Sequence, residues 1–171
     1  MYSIEGKTFP TVTDTGIYGF FQEYRFLSNF HLCNILYKDI WYPSSEHCYM
    51  AQKTNDISQK MRLSCSGGLK VNEAKHYGQS VELIPNWDNI RYDVMLDVVT
   101  HKFSQNEDIK QLLLDTGDKY LEETNWWRDK YWGCHIYPKQ PRDYSLPADQ
   151  YGQNNLGKIL MIVRDRVKEQ T

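Results

Sequence analysis

The sequence has no long apolar run and no hydrophobic N-terminal segment followed by a cleavage site. Neither a membrane span nor a secretory leader is therefore expected. Its four cysteines, Cys33, Cys48, Cys65 and Cys134, form no Cys-x-x-Cys pair, and its five histidines are scattered. Zinc-ligand spacing is missing, so no metal is implied. A reduced, cytoplasmic protein with free thiols is the economical reading. A basic stripe is missing too, since 20 Lys and Arg stand against 22 Asp and Glu for a net charge of −2. Proteins that grip a long polyanion along its backbone usually show such a stripe, so broad nucleic-acid binding is not expected. A pocket for one pyrophosphate is not, because a few cationic side chains or backbone N–H groups suffice.

What the sequence does have is length for one core and many rings. Its 171 residues fit one domain, and a globule of that size buries about 70% of its extended-chain surface. Aromatic residues make up 14%, with 13 Tyr and 5 Trp. They serve either as ordinary core and surface or as flat walls that stack on a base. No internal repeat or linker divides the chain, so one helix-rich α+β domain over residues 1–171 is expected.

Residues 1–42 read as turns and short strands. Ile17–Phe21 is rich in β-formers, and Asn34–Tyr42 reads as a hairpin turning at Lys38-Asp39. Pro43 ends that extended stretch. A helix capped by Ser44 or Ser45 then runs to about Asp56. Asn72–Gln79 is a second helix ending near Gly78. A third, capped by Asp88, runs through Phe103, with Ile90, Val94, Val98 and Lys102 at four-residue spacing beside Met95 and Val99. Glu107–Leu114 is a fourth, closed near Gly117. The last starts from an Asn155 cap and carries Leu156, Ile159, Leu160, Val163 and Val167 on one face. Between Gly133 and Gly152, a polar stretch with Pro138, Pro141 and Pro147 reads as a long ordered loop, a feature that often carries function.

Three segments are able to carry chemistry. Glu46, Tyr49 and Lys53 stand at i, i+3 and i+7, which places a carboxylate, a ring and an amine on one helical face. The same spacing also describes a solvated charge pair. Asp129, beside Trp132-Gly133, sets a carboxylate near an aromatic wall, or simply makes a surface turn. Gly152-Gln-Asn154-Asn-Leu-Gly157 opens the last helix, where backbone N–H groups and the helix dipole favour an anion. A plain capped turn accounts for it equally, and Arg164, two turns on, would join such a site or form a buried ion pair.

Taken in order, these segments resemble the NADAR family over nearly the whole chain. The matching pieces are FLSNF at 26–30, YPSSEHCYMAQKT at 42–54, Trp87 followed by a helix with Met95 and KF at 102–103, LLLDTGDKYLEET at 112–124, DKYWG at 129–133 and YGQNNLGKILMIVRDRV at 151–167. The resemblance implies a helix-rich α+β fold with a polar cleft, no cofactor, and cleavage of a bond between ribose C1 and nitrogen. Family members resemble hydrolases that remove ADP-ribose from guanine, or glycosidases that discard unstable riboflavin-pathway intermediates. The family positions are Ser28, Asn29, Glu46, Lys53, Trp87, Glu122, Asp129, Trp132, Gly133, Asn154 and Arg164. Within them Lys53, Glu46 and Asp129 are expected to do the chemistry, with Tyr49 among the stacking rings. The expected partner is an ADP-ribose-containing or nucleotide-like molecule, free or attached to DNA or RNA. A non-catalytic ADP-ribose or NAD reader is the competing class, although it would need no amine beside Glu46. The chain departs from the family pattern at Cys134-His135, where a second glycine often follows Trp-Gly, and in extra residues at Trp126-Trp127 and in the 134–151 loop.

Overall fold

The computed structural model describes residues 2–4, 7–137 and 142–169. In chain order its elements are β1 (Tyr2–Ile4), β2 (Lys7–Phe9), β3 (Thr11–Val12), β4 (Gly16–Tyr18), β5 (Leu32–Tyr37), β6 (Ile40–Ser44), α1 (Ser45–Ala51), α2 (Ile57–Leu63), α3 (Val71–Tyr77), α4 (Trp87–Gln105), α5 (Glu107–Asp115), β7 (Tyr120–Glu122), β8 (Thr124–Asn125), β9 (Cys134–His135) and α6 (Asn155–Glu169). Short 310 segments lie at Gln22–Leu27, Cys65–Gly67 and Ala148–Gln150. The class is α+β, with helices predominating. Two compact units make up the chain: Met1–Ser28 with Leu112–Thr171, and Asn29–Gln111. No helix among the described residues is long and apolar enough to cross a membrane.

In the unit Asn29–Gln111, β5 and β6 form an antiparallel hairpin. Its turn is Lys38-Asp39 as expected, with φ of 49° and 64°, values whose backbone twist matches the strands. The strands run further than the sequence suggests. β6 continues through Pro43 to Ser44, because a bulge between Leu32 and Ile35 takes Pro43 out of the pairing register. Ser44 then caps α1, its Oγ accepting from the His47 N–H at 3.2 Å. His47 Nε2 lies 2.9 Å from the Leu69 carbonyl and Nδ1 lies 2.7 Å from Ser44 Oγ. A carbonyl only accepts, so the ring proton is on Nε2 and Ser44 donates to Nδ1. Burial lowers the His47 pKa and keeps the ring neutral. Ser44→Ala removes the cap and the imidazole's partner together. It is expected to cost about 1–2 kcal/mol in urea denaturation, and a change within error would show that the cap carries no stability.

α1 stops at Ala51, well short of Asp56. Side chains take over the backbone there. Thr54 Oγ1 accepts from the Asp56 N–H, and Asp56 Oδ1 accepts from Ser58 and Gln59, which starts the separate helix α2. Sequence periodicity missed α2 because Leu63 is its one buried residue while Ile57 and Met61 are exposed. α3 runs Val71–Tyr77 with Gly78 as its C-cap, but Gly78 has helical φ rather than a left-handed one. It is needed for space, since a Cβ there would lie 2.4 Å from Met50 Sδ. α4 begins at Trp87 after Asn86, and Asp88 pairs with Arg91 at 3.4 Å instead of capping. Its buried stripe is Trp87, Met95, Val98, Val99, Lys102 and Phe103, and Ile90 is exposed.

In the other unit, β4 pairs antiparallel with β3 and parallel with β7, setting Ile17 beside Leu121. β4 ends earlier than expected because Gly19 has φ of 84°, a backbone turn out of the strand. Gly117, with φ of 59°, closes α5 as the sequence suggests. α6 packs on β7 and buries Leu156, Ile159, Leu160, Val163 and Val167. Its cap is Asn154, whose carbonyl accepts from the Lys158 N–H at 3.0 Å, so Asn155 is already the first helical residue. Phe9, Phe21 and Ile136 form a small second core with Trp126 and Tyr151 packed on it. Pro138 and Pro141 of the expected loop lie outside the described residues.

Candidate active site

Five of the expected site residues, Asn29, Glu46, Tyr49, Lys53 and Trp87, fall in the unit Asn29–Gln111. α1 organises them. The Asn29 carbonyl accepts the Glu46 N–H at 3.0 Å, satisfying one donor that a helix start leaves open. Asn29 Nδ2 donates to Met95 Sδ at 3.3 Å. Asn29 Oδ1 is buried and receives no hydrogen bond from the described residues. Glu46, in the first turn, is only 5% exposed. Tyr49 is buried one turn later, its ring 5.2 Å from that of Trp87 and inclined by 50°.

Lys53 lies beyond the end of α1. Its N–H still donates to the Met50 carbonyl at 3.3 Å, and its carbonyl accepts from Ile84 at 2.8 Å. The turn therefore prolongs the helical course past the end of α1, which keeps Lys53 near Tyr49. Lys53 Nζ stands 5.8 Å from the Tyr49 ring centroid. Burial lowers the Lys53 pKa below its ordinary 10.5. The Glu46 carboxylate acts in the opposite sense, and Lys75 and Arg91 reinforce the lowering. An amine biased toward its neutral form, a buried carboxylate and two rings are thus set together.

The remaining family positions belong to the other unit, where most are occupied by protein. Ser28 is buried and donates its N–H to Arg25 at the end of a 310 segment. Asp129 Oδ1 accepts from the N–H groups of Tyr131 and Trp132 at 3.0 and 2.8 Å. That is the hydrogen bonding of an Asx turn. Trp132 lies edge-on to Tyr131 at 4.7 Å, and its carbonyl accepts from Leu156. Asn154 is fully buried. Its Nδ2 donates to Tyr120 Oη and the Leu121 carbonyl, and its Oδ1 accepts from Glu123.

The glycines suspected of cradling an anion are explained by backbone packing. A Cβ on Gly152 would come within 2.2 Å of the Gly133 carbonyl oxygen, and one on Gly157 within 2.1 Å of that of Leu121. Gly133 is equally confined, 2.2 Å from the Glu123 oxygen. Arg164, buried, donates to Thr116 Oγ1 at 2.9 Å and to the Lys119 carbonyl at 2.8 Å, tying α6 to the turn before β7. Glu122 is completely buried and paired with Arg142, whose Nε lies 3.1 Å from Oε1 and Nη2 3.2 Å from Oε2. Thr124 donates to the same carboxylate. The Arg142 guanidinium lies 4.3 Å from the Tyr151 ring centroid. Sequence reasoning did not single out Arg142; a lone arginine in a proline-marked loop gives no periodic signal.

The fold is helix-rich α+β, and the unit Asn29–Gln111 carries a partly buried amine, a buried carboxylate and aromatic rings on and just beyond α1. The chain belongs to the NADAR family: the NADAR domain model matches residues 13–168. It is 33% identical over 150 residues to a riboflavin biosynthesis protein of Vibrio vulnificus strain YJ016, covering 86% of this chain but only 37% of that protein's length. It is 30% identical to an N-glycosidase of Nostoc punctiforme, over 88% of this chain and 90% of the other. The N-glycosidase YbiA of Escherichia coli is 28% identical over 91% and 89% of the two chains. The NMR structure of YbiA superposes with a TM-score of 0.74 at 26% identity, covering 99% of this chain and 95% of that one.

Proposed function

We propose that this chain, an N-glycosidase of the NADAR family, hydrolyses the bond between ribose C1 and the nitrogen of an ADP-ribosylated guanine base. The observation that carries the reading is the Glu46, Tyr49, Lys53 and Trp87 group, in which burial favours the neutral amine. Only that form of lysine is a nucleophile. The likeness of the motif set to hydrolases that remove ADP-ribose from guanine supplies the substrate class, whether the guanine is free or part of DNA or RNA.

In the proposed course, the C1–O4′ bond breaks, Lys53 Nζ adds to C1, and O4′ takes up the proton that Nζ gives off. The base nitrogen leaves as its C1–N bond breaks, taking a proton from Glu46, and a C1=Nζ Schiff base remains. Water adds to C1, returns a proton to Glu46 and releases the sugar and the amine. The sum is substrate plus water giving ADP-ribose and guanine. The proton shuttle falls to Glu46 rather than Asp129, because Asp129 Oδ1 already accepts from two backbone N–H groups. Tyr49 and Trp87 flank the base or ribose, and Asn29 Oδ1 accepts from a ribose hydroxyl.

A second reading is supported by the Vibrio vulnificus relative, whose name places it in riboflavin biosynthesis. In this second reading the same chemistry in this chain removes ribose phosphate from a ribosylamino-pyrimidine. Mass spectrometry of products separates the two. Purified protein and Lys53→Ala are each incubated with ADP-ribosylated guanosine and with the pyrimidine intermediate. Free ADP-ribose and intact guanosine, absent with Lys53→Ala, is the expected result. Product from the pyrimidine alone transfers the assignment to the second reading, and product from neither overturns both. Borohydride added during turnover is expected to trap a sugar adduct on Lys53. Failure to trap one, with activity intact, points instead to a carboxylate-activated water attacking an oxocarbenium-like ribose.

A further inference from the structure

The substrate class proposed above carries phosphate on its ribose, yet the groups that the sequence offers for an anion are engaged with protein. Arg164 donates to Thr116 and Lys119, and Gly152 and Gly157 are confined by backbone. The unit Asn29–Gln111 holds other cations. Trp87, Arg91 and Met95 follow one another at four-residue spacing along α4, so they share one helical face. The outer two members of that row are pinned to the site. The Trp87 ring lies 5.2 Å from that of Tyr49. Met95 Sδ accepts from Asn29 Nδ2 at 3.3 Å, and the Asn29 carbonyl holds the Glu46 N–H. Arg91, between them, is therefore carried on the same wall, alongside the stretch of α1 from Glu46 to Tyr49.

The Arg91 side chain is 33% exposed, so a ligand can reach it. Its neighbour Asp88, at 3.4 Å, is 85% exposed, and a solvated pair of that kind contributes little. Lys75 comes from α3, which packs on α1, and is itself partly exposed. Its Nζ stands 5.5 Å from the ring centroid of Phe30, the residue after Asn29. Both cations are near enough to Lys53 to act on its amine. Cationic side chains from α3, α4 and the turn after α1 thus gather about the Glu46 carboxylate. With Lys53 neutral, two positive charges still stand with one buried carboxylate, since Asp88 is in water. Like charges held together in a partly desolvated place repel, and an anion that enters there offsets them.

We infer that Arg91 and Lys75 hold the phosphate attached to the substrate's ribose, Arg91 through its planar N–H fork and Lys75 as a point charge. This rests on the reading of Lys53 as the group that meets ribose C1. The phosphate sits on C5 of the same sugar, so it comes within a sugar's length of that amine and of the charges around it. A phosphate monoester carries about −1.5 to −2 near neutral pH, enough to offset the two cations. A terminal monoester and the first phosphate of a diphosphate offer the same chemistry here. On this assignment the site selects phosphorylated ribosides over plain nucleosides, whatever base they carry.

Isothermal titration calorimetry with ADP-ribose, ribose 5-phosphate and ribose tests this without turnover, so a failed glycosidase assay leaves its result intact. All three present the same C1, and only the first two carry phosphate. The phosphorylated ligands are expected to bind the parent protein more tightly than ribose. Arg91→Gln and Lys75→Gln are each expected to weaken them roughly 10- to 150-fold, with ribose unaffected, while Lys75→Arg keeps most of the affinity. Arg91→Gln also removes the Asp88 pair, so its urea midpoint is compared with the parent's. If that variant does not fold, Lys75→Gln, on another helix, decides alone. A loss with ADP-ribose only identifies a diphosphate as the held group; a loss with ribose 5-phosphate as well identifies the phosphate next to the ribose. If the parent binds ribose as tightly as the phosphorylated ligands, or if either folded glutamine variant binds those ligands as the parent does, the two cations act on Lys53 and hold no phosphate.

Discussion

Lys53→Met is expected to be inactive and, near neutral pH, more stable than the parent. The two effects have one cause. Burial lowers the Lys53 pKa in the folded chain, whereas the unfolded chain keeps the ordinary 10.5. Between the folded value and 10.5 the unfolded state therefore binds more protons, and the parent's stability rises with pH through that window. Below it, the charged amine is a constant burden on the fold. Methionine has a similar shape and no charge, so its advantage is largest on the acid side and closes as pH approaches the unfolded value. Urea denaturation of both proteins across pH measures this, alongside turnover. A stability difference that does not change with pH would remove the desolvation argument for a neutral amine. Glu46→Gln extends the test. The Glu46 carboxylate raises the Lys53 pKa, so its removal is expected to move the acid limb of the activity profile to lower pH. The rate itself is expected to fall about 10²–10⁴-fold.

The largest loss of stability is expected at Glu122, a family position whose carboxylate is turned toward protein. Glu122→Ala leaves the Arg142 guanidinium 4% exposed and without its counter-charge. Removing one member of a buried pair costs about 3–5 kcal/mol, mostly because the other charge is stranded. Arg142→Met strands Glu122 in the same way, so both single variants are expected to shift the denaturation midpoint strongly downward. The double variant Glu122→Leu with Arg142→Met is expected to recover most of that loss, since replacing a whole buried pair with apolar groups is often nearly neutral. A double variant no better than the sum of the singles would mean that the two side chains act separately. A rate lost in Glu122→Gln while its stability holds would instead give Glu122 a part in the chemistry.

Some of this was legible in the sequence. The α6 stripe, the Lys38-Asp39 turn and the Gly117 stop are set by neighbours in the chain, and local periodicity and turn chemistry declare them. The grouping of Glu46, Tyr49 and Lys53 was legible for the same reason. The helix that carries it was drawn too long, because Thr54 and Asp56 compete for the backbone in a way a period count does not register. The two- and three-residue strands β7, β8 and β9 are too short to alternate; β7 exists only through β4, about a hundred residues earlier, and β8 and β9 only through each other.

The sequence by itself determined the α+β class, the family and the line-up of amine, carboxylate and rings, since these follow from residue order and short-range spacing. Tertiary structure decided what each polar group is occupied with. It gave Asn154 and Arg164 to the protein's own carbonyls and hydroxyls, engaged Asp129 in a turn and confined the glycines by packing. It also paired Glu122 with an unforeseen arginine and left Asn29 Oδ1 without a hydrogen-bond partner among the described residues. Hydrogen-bond partners and desolvation depend on which distant groups are brought within a few ångströms. That information lies in the packed chain and not in any window of its sequence.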